Sequence, residues 1–468
     1  MNAFDVLENT FLGRSIDELD ESILSFPGGQ VITLRDLHQL VLILGSIGSG
    51  KTNLLTTFLT ALIGNLQSGL ILVVKQTAID HAVNLITSLG REQDLILFGP
   101  GERHVLNLAD SFQSPTDATA ALLDCMDAVL GGSRVGGEDS QFWRSLLEIC
   151  LTNLFCLSRV LCGRFDHIIA AELYAGRAST VTQLDDPRWQ AGLMAKALES
   201  ASSRKESDHG ARLAVHFFER DYPGYGERMQ GSITACLATV LDALSREPLR
   251  TMFSGRSTFS IEDILTGSKI CVPTLSVLNS KAGQITNAVL QSLFFAAAPR
   301  NSREQNSFII NDECQFTLSP KLKQTLTIIR DFKVTAILAT QNISVIDERV
   351  GKDAREALFG LFRTKIFCSQ DHAATRQWAS EQLGKSKQTI ITRNRGNSSG
   401  RGGFGSSKGT SQHDHWDYAV QPSQFMCFKS GAPPGNIVET IILKAGHHWP
   451  ARWNRLHPGR GNTVRPII

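Results

Sequence analysis

Short runs of consecutive apolar residues alternate, over the first hundred positions, with stretches whose apolar residues recur at helical spacing. Val31 to Leu34 predicts a short strand, and Leu40-Val41-Leu42-Ile43-Leu44 a buried one: five apolar residues with no polar side left for water, two of them β-branched. Leu54 to Leu66 then reads as a helix, Leu70 to Val74 as a second buried strand, and Leu95 to Phe98 as a third. Strand, helix and strand of these lengths imply a right-handed parallel crossover. Upstream, Ser15 to Leu24 reads as an acidic helical stretch ending at Pro27-Gly28-Gly29.

Between about Asp110 and Arg246 the pattern changes to long amphipathic helices, including Ala118 to Leu130 and Phe142 to Leu161, separated by Gly131 to Gly137 and by Ser202 to Gly210. This predicts an all-helical domain inserted between strands of one sheet. Strands resume at Lys269 to Pro273, Ser307 to Asn311 and Val334 to Gln341, with helices at Gly283 to Ala298 and Leu322 to Phe332 between them. The fold class is therefore α/β, with a central, mostly parallel sheet and an inserted all-α domain.

Composition narrows the class. With 468 residues, 42% hydrophobic and 20% charged, the chain is long enough for two sizeable cores. The best apolar runs, Ile149 to Leu161 and Val289 to Ala298, are short and broken by polar residues, so no transmembrane segment is predicted. The first residues, MNAFDVLENTF, carry no basic patch ahead of an apolar core, unlike a secretory signal. Nine cysteines without CxxC spacing predict buried free thiols and a reducing, cytoplasmic setting. A net charge of +2 decides nothing about nucleic acid, because positive charge can be confined to one groove.

The chemistry begins directly after the first buried strand. Gly45-Ser46-Ile47-Gly48-Ser49-Gly50-Lys51-Thr52 has the spacing GxxxxGK[ST], whose glycines let backbone N–H groups face a polyphosphate at the start of a helix. In such a loop Lys51 contacts the β- and γ-phosphates and Thr52 ligates Mg²⁺, which predicts binding of ATP with magnesium. The strand Ser307 to Asn311 delivers Asp312-Glu313 at its carboxyl end, where open α/β sheets place ligand groups. Asp312 suits a magnesium ligand through water and Glu313 a base for the attacking water. The strand from Val334 ends in Gln341, an amide suited to sensing the γ-phosphate position.

The order of these pieces resembles the FtsK and HerA superfamily of ring-forming DNA motors, and most closely the TraG/TraD-like coupling proteins of conjugation and type IV secretion. The resemblance runs through the P-loop, Phe142-Trp143, the strand near Ile270, Asp312-Glu313, Arg330, Ala339-Thr340-Gln341, Asp371 to Lys385, and Val420 to Pro434. It implies a RecA-like nucleotide-binding domain in two parts, residues 1–109 and 247–393, around a helical domain of residues 110–246. It further implies an ATP-hydrolysing, DNA-translocating hexamer in which Arg330 reaches the neighbouring subunit's nucleotide, with Arg363 in reserve. A relaxase or secretion-channel component is an implied protein partner, with peripheral attachment at the inner membrane through it. Where coupling proteins carry acid-Pro-Lys-Gly after the second strand, this chain has Val73-Val74-Lys75-Gln76, and their amino-terminal transmembrane helices have no counterpart here. A protein-directed, nucleotide-gated recruitment ATPase is the alternative reading.

DNA contacts are expected mainly on phosphates. Candidates are Lys321 and Lys323 after the acidic pair, Arg204-Lys205 in the helical domain, and Arg395 and Arg401 in the glycine-, serine- and arginine-rich segment 394–416. That segment reads as a flexible loop, or as a single-strand-binding arm in which Phe404 stacks on bases. The remainder, 417–468, holds closing strands and a basic, solvated tail from Lys444 with Trp449 and Trp453. His413, His415, His447 and His448 offer no ligand geometry for a metal.

Overall fold

The computed structural model describes residues 20–454, apart from 21, 26–29, 113, 131–137, 206–207, 279, 301–304, 320–321 and 401–402. A small antiparallel pair, β1 (Ser22–Ser25) and β2 (Val31–Thr33), comes first. The end of the stretch expected to be an acidic helix is thus strand β1, paired through Ser25 and Val31. The main sheet collects β3 (Val41–Leu44), β4 (Ser68–Leu72), β5 (Leu95–Phe98), β6 (Ile270–Pro273), β7 (Ser307–Asn311), β8 (Val334–Thr340) and β9 (Thr364–Phe367). After a separate hairpin of β10 (Lys385–Gly400) and β11 (Gly403–Tyr418) come β12 (Ile437–Lys444) and β13 (His447–Asn454). The nine strands lie in the order β13-β12-β9-β3-β8-β7-β4-β6-β5, parallel from β9 to β5, with β12 and β13 antiparallel at one edge.

The uninterrupted apolar runs follow from cover on both faces. Successive side chains of a strand point to opposite sides. Val41, Ile43, Ile71 and Ile310 join one core with helices α1 (Lys51–Gly64) and α2 (Gln76–Ser88), whereas Leu42, Leu44, Leu72 and Ile309 join the other. The second core is continuous with the helical region between β5 and β6, where α3 (Pro115–Leu130) packs on α4 (Glu138–Cys162) and on α5 (Lys281–Ala297). Each large aliphatic side chain sealed there contributes about 1.5–3 kcal/mol of transfer free energy.

Three expectations are corrected here. The stretch Phe142–Cys162 of α4, 21 residues long, meets the length and composition for crossing a bilayer. The sequence reading had Phe142 to Leu161 as a helix but counted only Ile149 to Leu161 as its apolar run; Leu147, Leu151, Leu154 and Phe155 are buried against the helical core. The segment 394–416 is not a flexible loop in the described residues: it forms most of an antiparallel ribbon of two 16-residue strands. Backbone pairing builds such a ribbon without apolar side chains, which composition alone does not register. Likewise the expected solvated tail is strand β13 up to Asn454, and residues 455–468 lie outside the described part.

Two buried histidines bias stability against acid. His38, 6% exposed, has its pKa lowered from 6.5 to about 4 by burial, helped by the nearby charges of Lys333 and Arg35. Burial also depresses His167, 2% exposed, at the start of a helix. Because the unfolded chain takes up the proton first, stability is full above pH 6.5 and falls as pH drops from 6.5 towards 4, by about 3 kcal/mol for His38. Urea midpoints across that range will show a flatter profile for His38→Gln than for the wild type; parallel profiles would remove His38 as the source.

Candidate functional site

Strand β3 ends at Leu44, and the loop 45–50 that follows is stitched to its neighbours by backbone bonds. The Gly45 N–H donates to Thr340 O (3.3 Å) at the end of β8, and the Ser46 N–H to Ser369 O (3.0 Å) just beyond β9. Gly48 and Gly50 take positive φ, 76° and 93°, the left-handed conformation that glycine adopts without strain. Gly50 also tolerates no side chain for want of room: a Cβ there would sit 2.6 Å from Val438 Cγ1 of β12. As the residue before α1, Gly50 offers no capping side chain, so the first N–H groups of the helix keep their positive end for an anion. Lys51 is 6% exposed and donates to Gly45 O (2.7 Å); Thr52 is exposed.

The carboxyl end of β7 lies on the same rim. Asp312 is 8% exposed; its N–H donates to Leu72 O (2.9 Å), and its Oδ1 is buried without a hydrogen-bond partner. Burial, and next the Glu313 carboxylate, raises its pKa from 3.8 to about 6, against the opposing charges of Lys51 and Lys75. Glu313 stands at φ 57°, ψ 53°, a left-handed conformation costly for a residue with a Cβ. Three side chains hold it. Lys51 Nζ lies 3.5 Å from Oε1, Gln341 Nε2 donates to Oε1 (3.0 Å), and Gln315 Nε2 donates to Oε2 (2.9 Å). Gln315 is itself fixed by Thr340 Oγ1, which donates to its Oε1 (3.1 Å).

Gln370, 3% exposed and three residues past β9, ties the set together. Its Nε2 donates to Gln341 O (2.8 Å) and its Oε1 accepts from Ser46 Oγ (2.8 Å), so one amide spans the phosphate-loop motif and the end of β8. A cavity of about 550 Å³ opens over this rim, within the range of small-molecule sites. Lys51, Thr52, Asp312 and Glu313 line it, together with Lys75, Thr77 and His81 from the start of α2 and Ser430 near β12. His81 Nε2 lies 2.9 Å from Thr56 Oγ1. The unpartnered Asp312 oxygen, the exposed Thr52 hydroxyl and the uncapped helix start fit a polyphosphate and a divalent ion.

The structure brings together residues 45–52, Asp312, Glu313 and Gln341. It places Arg330 elsewhere: the turn Arg330–Phe332 precedes β8, at the opposite rim, and its side chain lies outside the described part. Arg363, exposed, also precedes its strand at that rim. Lys323 is exposed on α6 (Leu322–Ile329), Arg395 is in β10 with its side chain outside the described part, and Lys321 and Arg401 lie wholly outside it. Sequence reasoning missed Gln315, Gln370, His81 and Ser430. Only Gln370 left a local signal, a polar residue closing a strand as Gln341 does.

Residues 307–429, from β7 through the hairpin, match the family described as the TraM recognition site of TraD and TraG. No curated protein sequence matches the chain. Among solved structures, the bacterial conjugative coupling protein TrwBdeltaN70 in its unbound monoclinic form is similar at 13% identity and TM-score 0.62, covering 97% of this chain and 91% of that one. The plasmid coupling protein TrwB in complex with the GTP analogue GDPNP gives 13% identity, TM-score 0.61 and coverage of 97% and 92%. TrwB in complex with ADP and Mg²⁺ gives 13%, 0.59, and again 97% and 92%. At such identities the likeness shows a shared fold, a central sheet with an all-helical domain; the family match supports the TraG/TraD-like resemblance carried by the motif order.

Proposed function

From a fold shared with conjugative coupling proteins, and a TraG/TraD family match across the segment that holds Glu313 and Gln341, we propose that this chain is an ATP-hydrolysing motor that binds and moves DNA and works as a hexameric ring. The observation that carries the reading is the meeting of the Lys51 ammonium, the Glu313 carboxylate and the Gln341 amide within hydrogen-bonding reach on one rim of the sheet.

The residues divide the work as follows. Backbone N–H groups of residues 45–52 and the start of α1 bind the phosphates, and Lys51 exchanges its bonds to Gly45 O and Glu313 for phosphate oxygens. Release from Lys51 leaves Glu313 to orient the attacking water and accept its proton, held in place by Gln315 and Gln341. Thr52 and Asp312 would hold magnesium, which when bound offsets negative charge on the phosphates. Gln341 carries the state of the pocket into β8, and Gln370 into the Ser46 loop. Arg330 completes a neighbour's pocket. The setting we propose is cytoplasmic, with contact to the inner membrane through a protein partner such as a secretion-channel component or a relaxase.

A second reading, a nucleotide-gated ATPase that recruits proteins, is favoured by the description of the matched family as a recognition site for a protein. One experiment separates them. ATP turnover of the full chain rises with added DNA, and the stimulation falls steeply with salt as phosphate contacts are screened. Turnover indifferent to DNA at every salt concentration would overturn the motor. Within the same assay Gln370→Ala lowers turnover about ten- to a hundredfold, the loss of buried hydrogen bonds worth about 1–3 kcal/mol. An unchanged rate would show that the Ser46 loop and Gln341 act independently.

A further inference from the structure

We infer that His81 holds the divalent ion of the nucleotide site from outside its ligand set: through Nδ1 the imidazole accepts a hydrogen bond from a water bound to the ion, and Thr56 fixes the ring for that task. Thr56 has a single hydroxyl proton. Its Oγ1 donates to Thr52 O (2.8 Å), one turn back along α1, and the same oxygen lies 2.9 Å from His81 Nε2. Both bonds form together only if Nε2 carries the imidazole proton, since the threonine has none left to give. In the neutral ring the other nitrogen, Nδ1, is then an acceptor, its part set by the bond that Nε2 makes. Nδ1 has no partner among the described residues.

This relay begins at a residue proposed to hold magnesium and ends on the wall of the same cavity. Thr52 and Thr56 are four apart on α1 and so share a face. Thr56 is 6% exposed, whereas His81, in the second turn of α2, is exposed. The cavity over the rim and a smaller recess are both lined by Thr52, Thr56, His81 and Asp312, so the imidazole adjoins both residues of the proposed ion site.

Chemistry selects what Nδ1 meets. Mg²⁺ parts with water reluctantly and keeps several molecules in its shell, whose hydrogens need acceptors. Lys75, Thr77 and His81 are the polar side chains that the start of α2 brings to the cavity. Lys75 has donors only, and its charge, which acts on Asp312, repels a cation. The Thr77 hydroxyl is exposed and has no partner among the described residues, so His81 is the acceptor on that wall that is already anchored. An acceptor held in place gives up little freedom when it engages. Partners of this outer kind change metal affinity about 10- to 100-fold.

His81 has this role only if Thr52 and Asp312 hold magnesium as proposed, so the test reads the ion rather than DNA. Affinity of the full chain for fluorescent ADP is measured by anisotropy in millimolar Mg²⁺ and in EDTA, and the ratio of the two is compared between the wild type, His81→Ala, His81→Gln, His81→Asn and Thr56→Val. Thermal melts confirm that each chain folds. An asparagine amide reaches the position of Nδ1 and a glutamine amide that of Nε2, so these replacements separate the two bonds of the ring. His81→Ala and His81→Gln lower the ratio about tenfold, while affinity in EDTA stays close to wild type. His81→Asn keeps most of the ratio. Thr56→Val lowers it less, and adds nothing to His81→Ala, because Thr56 acts through the ring. A ratio unchanged in His81→Ala, with the wild type still dependent on Mg²⁺, would overturn the role of His81 and leave the ion site standing. Rescue by glutamine but not asparagine would make the imidazole a clip between α1 and α2, and an equal loss in EDTA would place it on the nucleotide itself; either overturns the inference. Wild-type affinity indifferent to Mg²⁺ would remove the ion site and the role of His81 with it. Turnover indifferent to DNA, with the ratios as expected, would remove the motor and sustain His81.

Discussion

Replacing Arg330 by alanine lowers ATP turnover about 10³- to 10⁵-fold, the range attributed to an arginine completing a phosphoryl-transfer site, while nucleotide affinity stays within a few-fold of wild type. Topology supplies the reason. β8 runs from Val334 to Thr340, and its far end meets Gly45 of the phosphate loop. Arg330 stands before the near end, so the length of the strand, about 20 Å, separates it from the pocket of its own chain. No arginine side chain covers that distance, so under the proposed role Arg330 can act only on the nucleotide of a neighbouring subunit. The decisive measurement mixes two inactive chains. Lys51→Ala lacks a working pocket but keeps Arg330; Arg330→Ala lacks the arginine but keeps its pocket. Turnover reappears on mixing if the arginine acts between subunits. A mixture as dead as its parts, or full activity of Arg330→Ala alone, removes the role. Arg363→Ala, altered at the same rim, reports whether the second arginine carries it instead.

What was legible in the sequence was whatever a strand or a turn declares locally. The run Leu40–Leu44 followed by glycines and Lys51 needed no tertiary information, because a strand buried on both faces shows no polar side and the loop chemistry is contiguous. Strand β9 stayed hidden: Thr364-Lys365-Ile366-Phe367 puts a lysine in the middle of the sheet, and it is tolerated only because Lys365 Nζ turns back to Phe362 O (2.8 Å). β13 read as a basic tail because it contains Pro450, Arg452 and two histidines, which an edge strand accommodates. The hairpin was read by composition as a loop, since serine and glycine announce flexibility while the ladder that orders them is a pairing between distant positions. For the site, Lys51 was visible in the loop motif, and Asp312 and Gln341 as residues at strand ends. Gln315 was not, and Gln370 showed only as a polar residue just past a strand, because what matters in them is which side chain each one holds, and no spacing along the chain states that.

Glu313→Gln stops turnover, by about 10²- to 10⁴-fold as expected for the loss of a general base, and leaves nucleotide bound at least as tightly as before. The side chain keeps its size but no longer bears the charge that faces Lys51 at 3.5 Å, so the ammonium is released for phosphate. Two amides now meet a third: Gln315 and Gln341 both donate to Glu313, and a glutamine between them presents its own NH₂ group to one of the two. One amide must rotate, and Gln341 is the freer, because Gln315 is also held by Thr340 Oγ1. The substitution therefore uncouples Gln341 from the acid position as well as removing the base. Lys51→Ala behaves differently: it loses affinity and turnover together, because the charge that meets the phosphates is gone. A Glu313→Gln chain that keeps more than about a tenth of wild-type turnover excludes Glu313 as the base. One that loses nucleotide binding to the same extent as Lys51→Ala shows instead that the carboxylate holds the loop in shape, and the acid would then have to be sought at Asp312.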